Sequence, residues 1–200
     1  MKNTILTLVA AIFLYACSNT SSKENKDAES TESTAQHDHS PKEADTSKKK
    51  PLSPRTSSMA LIDSNHIHID YGSPGKRGRM IFGGLVGYGT VWATGAHKAT
   101  IITFDEDVNI NDVDVPAGKY GLFTIPGESE WTIIISKDWD MHLADDYIEI
   151  NDLVRVVAPV QLLVEEVESL TFEVKETDSK TGEVTIKWDQ TAVSFEIKNK

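Results

Sequence analysis

From residue 66 to the C-terminus, apolar and polar residues alternate in short segments. His66–Tyr71 alternates strictly, the period of a strand with one buried face, so Ile67, Ile69 and Tyr71 are predicted to point inward. Similar β-branched or aromatic segments follow, bounded by turn residues such as Pro116-Ala117-Gly118. These further predicted strands are Ala99–Phe104, Tyr120–Ile125, Trp131–Ser136, Leu153–Ala158, Ser169–Lys175, Glu183–Trp188 and Val193–Lys198.

The segments between these strands carry no helical pattern of useful length. Only Asp138–Glu149 is long and irregular enough to hold a helical turn. Parallel strands would need crossover helices, which are missing, so antiparallel pairing is favoured. We therefore predict an all-β fold over residues 53–200, a single antiparallel β-sandwich or barrel-like domain of about eight or nine short strands. The C-terminal third alternates most cleanly and is expected to act as scaffold.

The first 17 residues have the pattern of a secretory signal. Lys2 precedes an apolar run, Ile5–Tyr15, that is too short to span a bilayer. The end of this run, Leu14-Tyr15-Ala16-Cys17, resembles the lipobox of bacterial lipoproteins, in which the cysteine is lipidated. Cys17 is the only cysteine, so no disulfide can form within the chain. We predict a signal peptide over 1–17 and a lipid anchor at Cys17; the alternative is an ordinary cleaved signal followed by a free cysteine.

Residues 18–52 are rich in Ser, Thr, Lys, Glu and Asp and contain no aromatic residue. Such a segment buries too little apolar surface to offset the entropy of ordering, so a disordered tether is predicted. No aspartate follows Cys17, which favours an outer-membrane anchor in the bacterial cell envelope, with the domain on its periplasmic or surface face. His37 and His39 lie in this tether and offer at most a weak metal-binding tract.

The acidity of the protein lies in the predicted domain. The formal net charge is −11, and residues 1–52 hold seven lysines and seven acidic residues, so the whole excess falls in residues 53–200. A domain this acidic repels phosphate backbones. The charge distribution therefore argues against nucleic acid as a partner.

The best candidate site lies in a glycine-rich stretch. Eight of the twelve glycines fall between Gly72 and Gly95. Guanidinium groups match carboxylate or phosphate, and glycines let backbone amides approach such a ligand, while aromatic residues could form a stacking wall for a sugar. The alternatives are basic residues paired with carboxylates of the domain and aromatic residues packed in the core. The candidate ligand-binding residues are Lys76, Arg77, Arg79, Tyr88, Trp92, Thr94 and His97.

Metal binding and catalysis have weaker support. His66, His68 and Asp70 share one face of a predicted strand, where neighbouring members could hold an ion. Part of a second segment imitates a calcium loop, but Leu143 stands where that loop needs glycine. We therefore predict neither a metal nor a cofactor, and we predict no catalytic residue. The candidate metal ligands in the segment that imitates a calcium loop are Asp138, Asp140, His142 and Glu149.

Several motifs of the domain resemble those of the bacterial family known as domain of unknown function 2911. The stretch Lys76–Val86 and the segment Tyr88–Trp92 carry the resemblance, which covers Ser53 to Ile197. It implies a single β-rich envelope domain and no defined activity. The chain departs from the family pattern at Ala93, His97 and Lys98, where Arg, Asn and Glu are expected. Further segments that match the family motifs are Thr94-Gly95-Ala96, Pro116–Tyr120, Leu122–Pro126 and Trp131–Ile134.

Three functions are compatible with this sequence. The first is a ligand-binding or interaction module of the envelope, which would bind a small anionic or sugar ligand, or an envelope protein. The second is an envelope hydrolase that acts on glycans with the help of a carboxylate pair or a metal. The third is a purely structural lipoprotein, whose glycine-rich loops would be fully packed. Fold alone does not decide among them, since sandwiches serve all three roles.

Overall fold

The computed structural model describes residues 51–200, which belong to one compact unit. The predicted signal peptide, Cys17 and the predicted tether as far as residue 50 lie outside the described residues, as do His37 and His39. Ten strands and one 3-10 turn, Glu149–Asn151, make up the described regular structure. The strands are β1 Arg55–Ile62, β2 Asn65–Gly72, β3 Thr100–Phe104, β4 Val108–Ile110, β5 Val113–Val115, β6 Gly118–Ile125, β7 Glu130–Ser136, β8 Asp152–Pro159, β9 Gln161–Asp178 and β10 Thr181–Asn199.

The strands form two antiparallel sheets. One has six strands in the order β1-β2-β3-β6-β7-β8, and the other has four in the order β5-β4-β10-β9. The main hydrophobic core contains residues from both sheets, and the sheets do not join into a closed barrel. The predicted all-β antiparallel sandwich is confirmed. Within residues 51–200, no helix is long and apolar enough to cross a membrane.

The strand count exceeds the predicted eight or nine because three strands carry a weak pattern. Strands β4 and β5 have only three residues each, and β1 is an edge strand in which only Ile62 is fully buried. One difference lowers the count: two strands that the sequence predicts separately, Glu183–Trp188 and Val193–Lys198, are halves of β10. The register against β9 shifts around Asp189, whose φ of 57° interrupts the alternation without ending the strand.

The inward-facing residues of β2 are those that alternation predicts. Ile67 and Ile69 are fully buried and Tyr71 is 4% exposed. The Tyr71 hydroxyl accepts a hydrogen bond from the Phe172 amide of β9, and burial raises the pKa of this phenol. Strand β2 is therefore tied to the opposite sheet by packing and by a polar contact.

A second buried polar residue, Asn65, joins three parts of the fold. Its side-chain oxygen accepts hydrogen bonds from the amides of Asp105 and Glu106, both at 3.0 Å. Its side-chain nitrogen donates to the Glu106 carbonyl at 3.2 Å and to the Asn199 side chain at 3.0 Å. Asn65 thus uses its whole hydrogen-bonding capacity to connect the start of β2, the turn after β3 and the end of β10.

Replacing Asn65 with leucine is expected to lower the free energy of unfolding by about 2–4 kcal/mol, because several polar groups lose their partner together. Urea denaturation of a chain of residues 47–200 measures this loss. Asn109→Ala is the matched control, since its side chain bonds only to the exposed Asp114 and its loss is expected to cost below about 1 kcal/mol. Equal losses for the two variants would contradict the role given to Asn65.

Candidate functional site

The predicted site falls in one long connection, Ser73–Ala99, which we call the glycine-rich loop. It joins β2 to β3 through turns, bends and isolated bridges. Gly72, just before it, packs so closely that a Cβ atom there would lie 2.3 Å from the carbonyl oxygen of Ala96. The start and the return of the loop therefore touch at a point where only glycine fits.

Trp92 attaches this loop to both sheets. Its backbone amide and carbonyl bond to Thr124 of β6 at 2.7 and 2.9 Å. Its ring stacks on Trp188 of β10, with centroids 5.9 Å apart and an interplanar angle of 21°, and meets Trp131 of β7 edge-on at 6.2 Å. Trp92 therefore belongs to the core and also holds the loop in place.

A cavity of about 330 Å³ opens between the glycine-rich loop, Leu143 and β10. We call it the arginine cleft. Four of the seven candidate residues line it, namely Arg77, Arg79, Trp92 and His97, and none of its lining residues is acidic. The other lining residues are Ser53, Pro74, Leu85, Val86, Gly95, Ala96, Leu143 and Trp188.

The two arginines of this cleft bond to the backbone and not to carboxylates. Arg79 donates to the carbonyls of Lys76 and Gly75 at 3.0 and 2.6 Å, and Arg77 Nε donates to the same Gly75 carbonyl at 3.5 Å. Within residues 51–200, neither guanidinium has a carboxylate oxygen within 4 Å. Two positive groups thus converge on one carbonyl oxygen without a carboxylate in ion-pair contact.

Lys76 behaves in the opposite way. Its ammonium group contacts Glu166 at 2.5 Å and Asp189 at 2.7 Å, and these hydrogen bonds raise the pKa of Lys76. The alternative of pairing with the domain's own carboxylates therefore describes Lys76, which does not line the cleft. Its charge is already balanced within the fold.

Two other candidates lie outside the cleft. Tyr88 is 42% exposed and packs against the backbone of Gly83. Thr94 is fully buried, and its hydroxyl bonds to the Trp92 carbonyl and to the Thr124 hydroxyl. Thr94 is therefore closed off from a ligand, and of the three aromatic candidates Tyr88, Trp92 and His97, the last two line the cleft.

The sequence predicts that backbone amides of the glycine-rich loop can approach a ligand, but several of these amides already have an acceptor within the fold. The amides of Gly83, Gly84 and Gly89 donate within the fold, to Val86, Ile81 and Pro126. In contrast, the amides of Gly95, Ala96 and His97 find no acceptor among residues 51–200, and all three residues line the cleft. Amide donors are thus present, but on the returning part of the loop. Unpaired amides in a concave site suit an oxyanion.

Backbone strain is concentrated around this cleft. Positive φ values occur at Arg77 (50°), His97 (68°) and Leu143 (49°), all of which line it, and at the adjacent Thr94 (50°). The other positive φ values of non-glycine residues within 51–200 are at Asp or Asn, which tolerate this conformation. Such outliers persist only where the surroundings impose them, and they cluster at functional sites.

Sequence reasoning missed three residues that shape the cleft. Glu168 of β9 accepts the Arg77 amide on its carboxylate at 2.8 Å and the Lys76 amide on its carbonyl at 2.7 Å, which fixes the turn that carries the arginines. Leu143 comes from the segment before β8, and Trp188 comes from the strands that were expected to act only as scaffold. No local pattern in the sequence marks any of the three as a neighbour of the loop.

The candidate metal ligands are not assembled. His66 and His68 lie side by side, with ring centroids 5.8 Å apart, but Asp70 is paired with Arg55. In the segment that imitates a calcium loop, His142 instead contacts Asp145 at 2.8 Å. Within residues 51–200, no three His, Cys, Asp or Glu residues are grouped as metal ligands.

Two further cavities of similar size lie elsewhere in residues 51–200, of about 330 and 360 Å³. The first is lined mostly by polar side chains, including Glu183 and Glu196. The second contains Asp138, Asp140 and Asp146. Neither contains a candidate ligand-binding residue, whereas the arginine cleft contains four.

Comparison with known proteins gives one match. Residues 53–197 match a family model described as Protein of unknown function (DUF2911). The matched range covers well over half of the chain and includes the whole glycine-rich loop. It coincides with the range over which the sequence resembles that family. No curated protein and no solved structure matches the chain.

The strain at Arg77 predicts that Arg77→Gly stabilises the fold. A left-handed conformation costs an L-residue about 1–2 kcal/mol, and the added freedom of unfolded glycine takes back about 0.5–1 kcal/mol. Since the Arg77 side chain is exposed, the free energy of unfolding is expected to rise by about 0.5–1 kcal/mol. Urea denaturation is the measurement. Arg79→Gly is the control and is expected to destabilise, because it removes two hydrogen bonds without relieving a positive φ. A loss of stability in both variants would contradict the argument.

Proposed function

This chain belongs to the DUF2911 family, and we propose that its β-sandwich is a binding module that takes a small organic anion in the arginine cleft. We further propose that the protein acts in the bacterial cell envelope, anchored at Cys17 to the outer membrane. The first proposal rests on the geometry of the cleft. The second rests on the sequence of residues 1–17.

One observation carries the binding proposal: Arg77 and Arg79 converge without a carboxylate partner in a domain with a large acidic excess. An arginine on such a surface would ordinarily find an acidic partner, as Lys76 does. Two guanidinium groups held together repel each other, and an anion placed between them relieves that repulsion. The cleft is therefore complementary to negative charge although the domain as a whole is not.

The shape and the lining of the cleft support the same proposal. A volume of about 330 Å³ is within the range of small-molecule sites. The open cleft disfavours the alternative of a purely structural lipoprotein, which requires a fully packed loop. The hydrolase alternative requires converging carboxyl groups or a metal, and no carboxyl group lines this cleft.

We expect replacement of both arginines, Arg77→Gln with Arg79→Gln, to abolish anion binding. A ligand at about a hundred times its dissociation constant stabilises the fold by about 2.7 kcal/mol, a shift of several degrees in Tm. Thermal denaturation of residues 47–200 with phosphate, sulfate, glucuronate, benzoate and octanoate measures this shift. At least one of these anions is expected to raise the Tm of the unsubstituted protein and to leave that of the double variant unchanged.

A second double variant distinguishes binding at the arginine cleft from a general effect of the charge of the protein. The variant Lys137→Gln with Lys180→Gln removes the same two positive charges from exposed positions outside the cleft, and it is expected to bind as the unsubstituted protein does. Equal loss of binding in both double variants would mean that the anions respond only to overall charge. A flat response to every anion in the panel would overturn the binding proposal.

The anchor has its own test. Cys17→Ala is expected to abolish incorporation of labelled fatty acid and to release the protein from the membrane fraction of the cell, since a thiol is required for the lipid attachment. Metabolic labelling with palmitate and cell fractionation are the measurements. A protein that is still labelled after Cys17→Ala would rule out this position as the anchor. Ser18→Ala is the control and should keep both the label and the membrane fraction.

A further inference from the structure

We infer that the ligand of the arginine cleft is an amphiphilic carboxylate, a molecule with one carboxylate head group and an apolar body that makes few hydrogen bonds. This inference rests on the proposed function, because it names the class of anion that the cleft would bind. The sequence left open a small anion or a sugar as the small-molecule ligand, and this inference selects the anion.

The cleft provides donors for one small oxyanion. Arg79 uses its Nε and one Nη2 hydrogen on backbone carbonyls, whereas Arg77 has only a long Nε contact of 3.5 Å. Both terminal nitrogens of Arg77 therefore stay available as the planar fork that suits a carboxylate. On the other part of the loop, the amides of Ala96 and His97 have no acceptor among residues 51–200, and both residues line the cleft. These groups are enough for two oxygens.

The surrounding charge favours a single negative charge on the ligand. The formal net charge of the chain is −11, and all of the excess lies in residues 53–200. Lys76, the third cation of the cluster, is already neutralised by Glu166 and Asp189. A dianion doubles both its attraction to the two guanidinium groups and its repulsion by the acidic domain, but its cost of leaving water rises with the square of its charge, so a monoanion fits better.

Apart from Ser53 and His97, the remaining lining is apolar and offers few of the donors that a sugar needs. Leu85, Val86 and Leu143 contribute aliphatic side chains. The indole N–H of Trp92 donates to the Gly95 carbonyl and that of Trp188 to the Glu168 carbonyl, both at 3.2 Å, so neither is free for a ligand hydroxyl. A hydroxylated body would lose hydrogen bonds to water without regaining them, whereas an apolar body gains from burial.

Calorimetric titration with butyrate, hexanoate and octanoate, compared with glucuronate, tests this inference on residues 47–200. Affinity is expected to rise about 15-fold for each pair of methylene groups, which corresponds to about 0.8 kcal/mol for each methylene that leaves water. Glucuronate has the same head group on a hydroxylated ring, and we expect it to bind at least about tenfold more weakly than hexanoate. A series in which the three fatty acids bind equally would overturn the inference, and so would glucuronate that binds as tightly as octanoate.

Two variants distinguish this inference from the proposed function. Leu85→Ala removes an apolar side chain that is 50% exposed, so the fold is kept, and it should weaken octanoate several-fold while butyrate binding stays the same. The double variant Arg77→Gln with Arg79→Gln should abolish binding of all three fatty acids. Arginine-dependent binding without any dependence on chain length or Leu85 would keep the proposed function and reject the amphiphilic ligand. Absence of binding by any carboxylate would reject the amphiphilic ligand, and a flat response to phosphate and sulfate as well would reject the proposed function.

Discussion

The attachment of Trp92 to both sheets is the interaction on which the candidate site depends. Its backbone pairs with Thr124 as an added strand residue would, and its ring stacks on Trp188 of the opposite sheet. The bridges Gly75–Ser169 and Lys98–His142 hold the two ends of the glycine-rich loop, and the contacts of Trp92 attach the part between them. Because Trp92 is held from two sides, the segment that follows it places Gly95 to His97 in the lining of the same cleft as the arginines. The packing of one indole thus sets the geometry of a polar site.

Much of the fold could be predicted because burial on one face imposes a period of two on each strand. That constraint is strong in β2, where every second side chain is buried, and it is weak in β1, which has a single fully buried residue at its end. Strand β10 shows the limit in another way. Asp189 adopts a positive φ and breaks the alternation, so one long strand has the pattern of two short ones.

The site could be predicted only as far as the local sequence reveals it. The cluster of glycines with basic and aromatic residues indicated the loop, and four of its seven candidates line the cleft. The sequence could not show that Lys76 pairs with carboxylates whereas Arg77 and Arg79 do not. Lys76 is neutralised by Glu166 and Asp189, which follow it by 90 and 113 residues. Contacts over such distances depend on sheet pairing, which no local pattern encodes.

The arrangement around the cleft opposes stability in two ways. Arg77, His97 and Leu143 adopt a backbone conformation that side chains disfavour, and two guanidinium groups lie together although the domain is rich in carboxylates. Glu168, the nearest acidic partner, binds the Arg77 amide and leaves the guanidinium free. Packing alone would favour a glycine at position 77 and a carboxylate beside the arginines. Places where local preference and the observed structure disagree are where function is expected, because the rest of the fold holds there a conformation that stability alone does not favour.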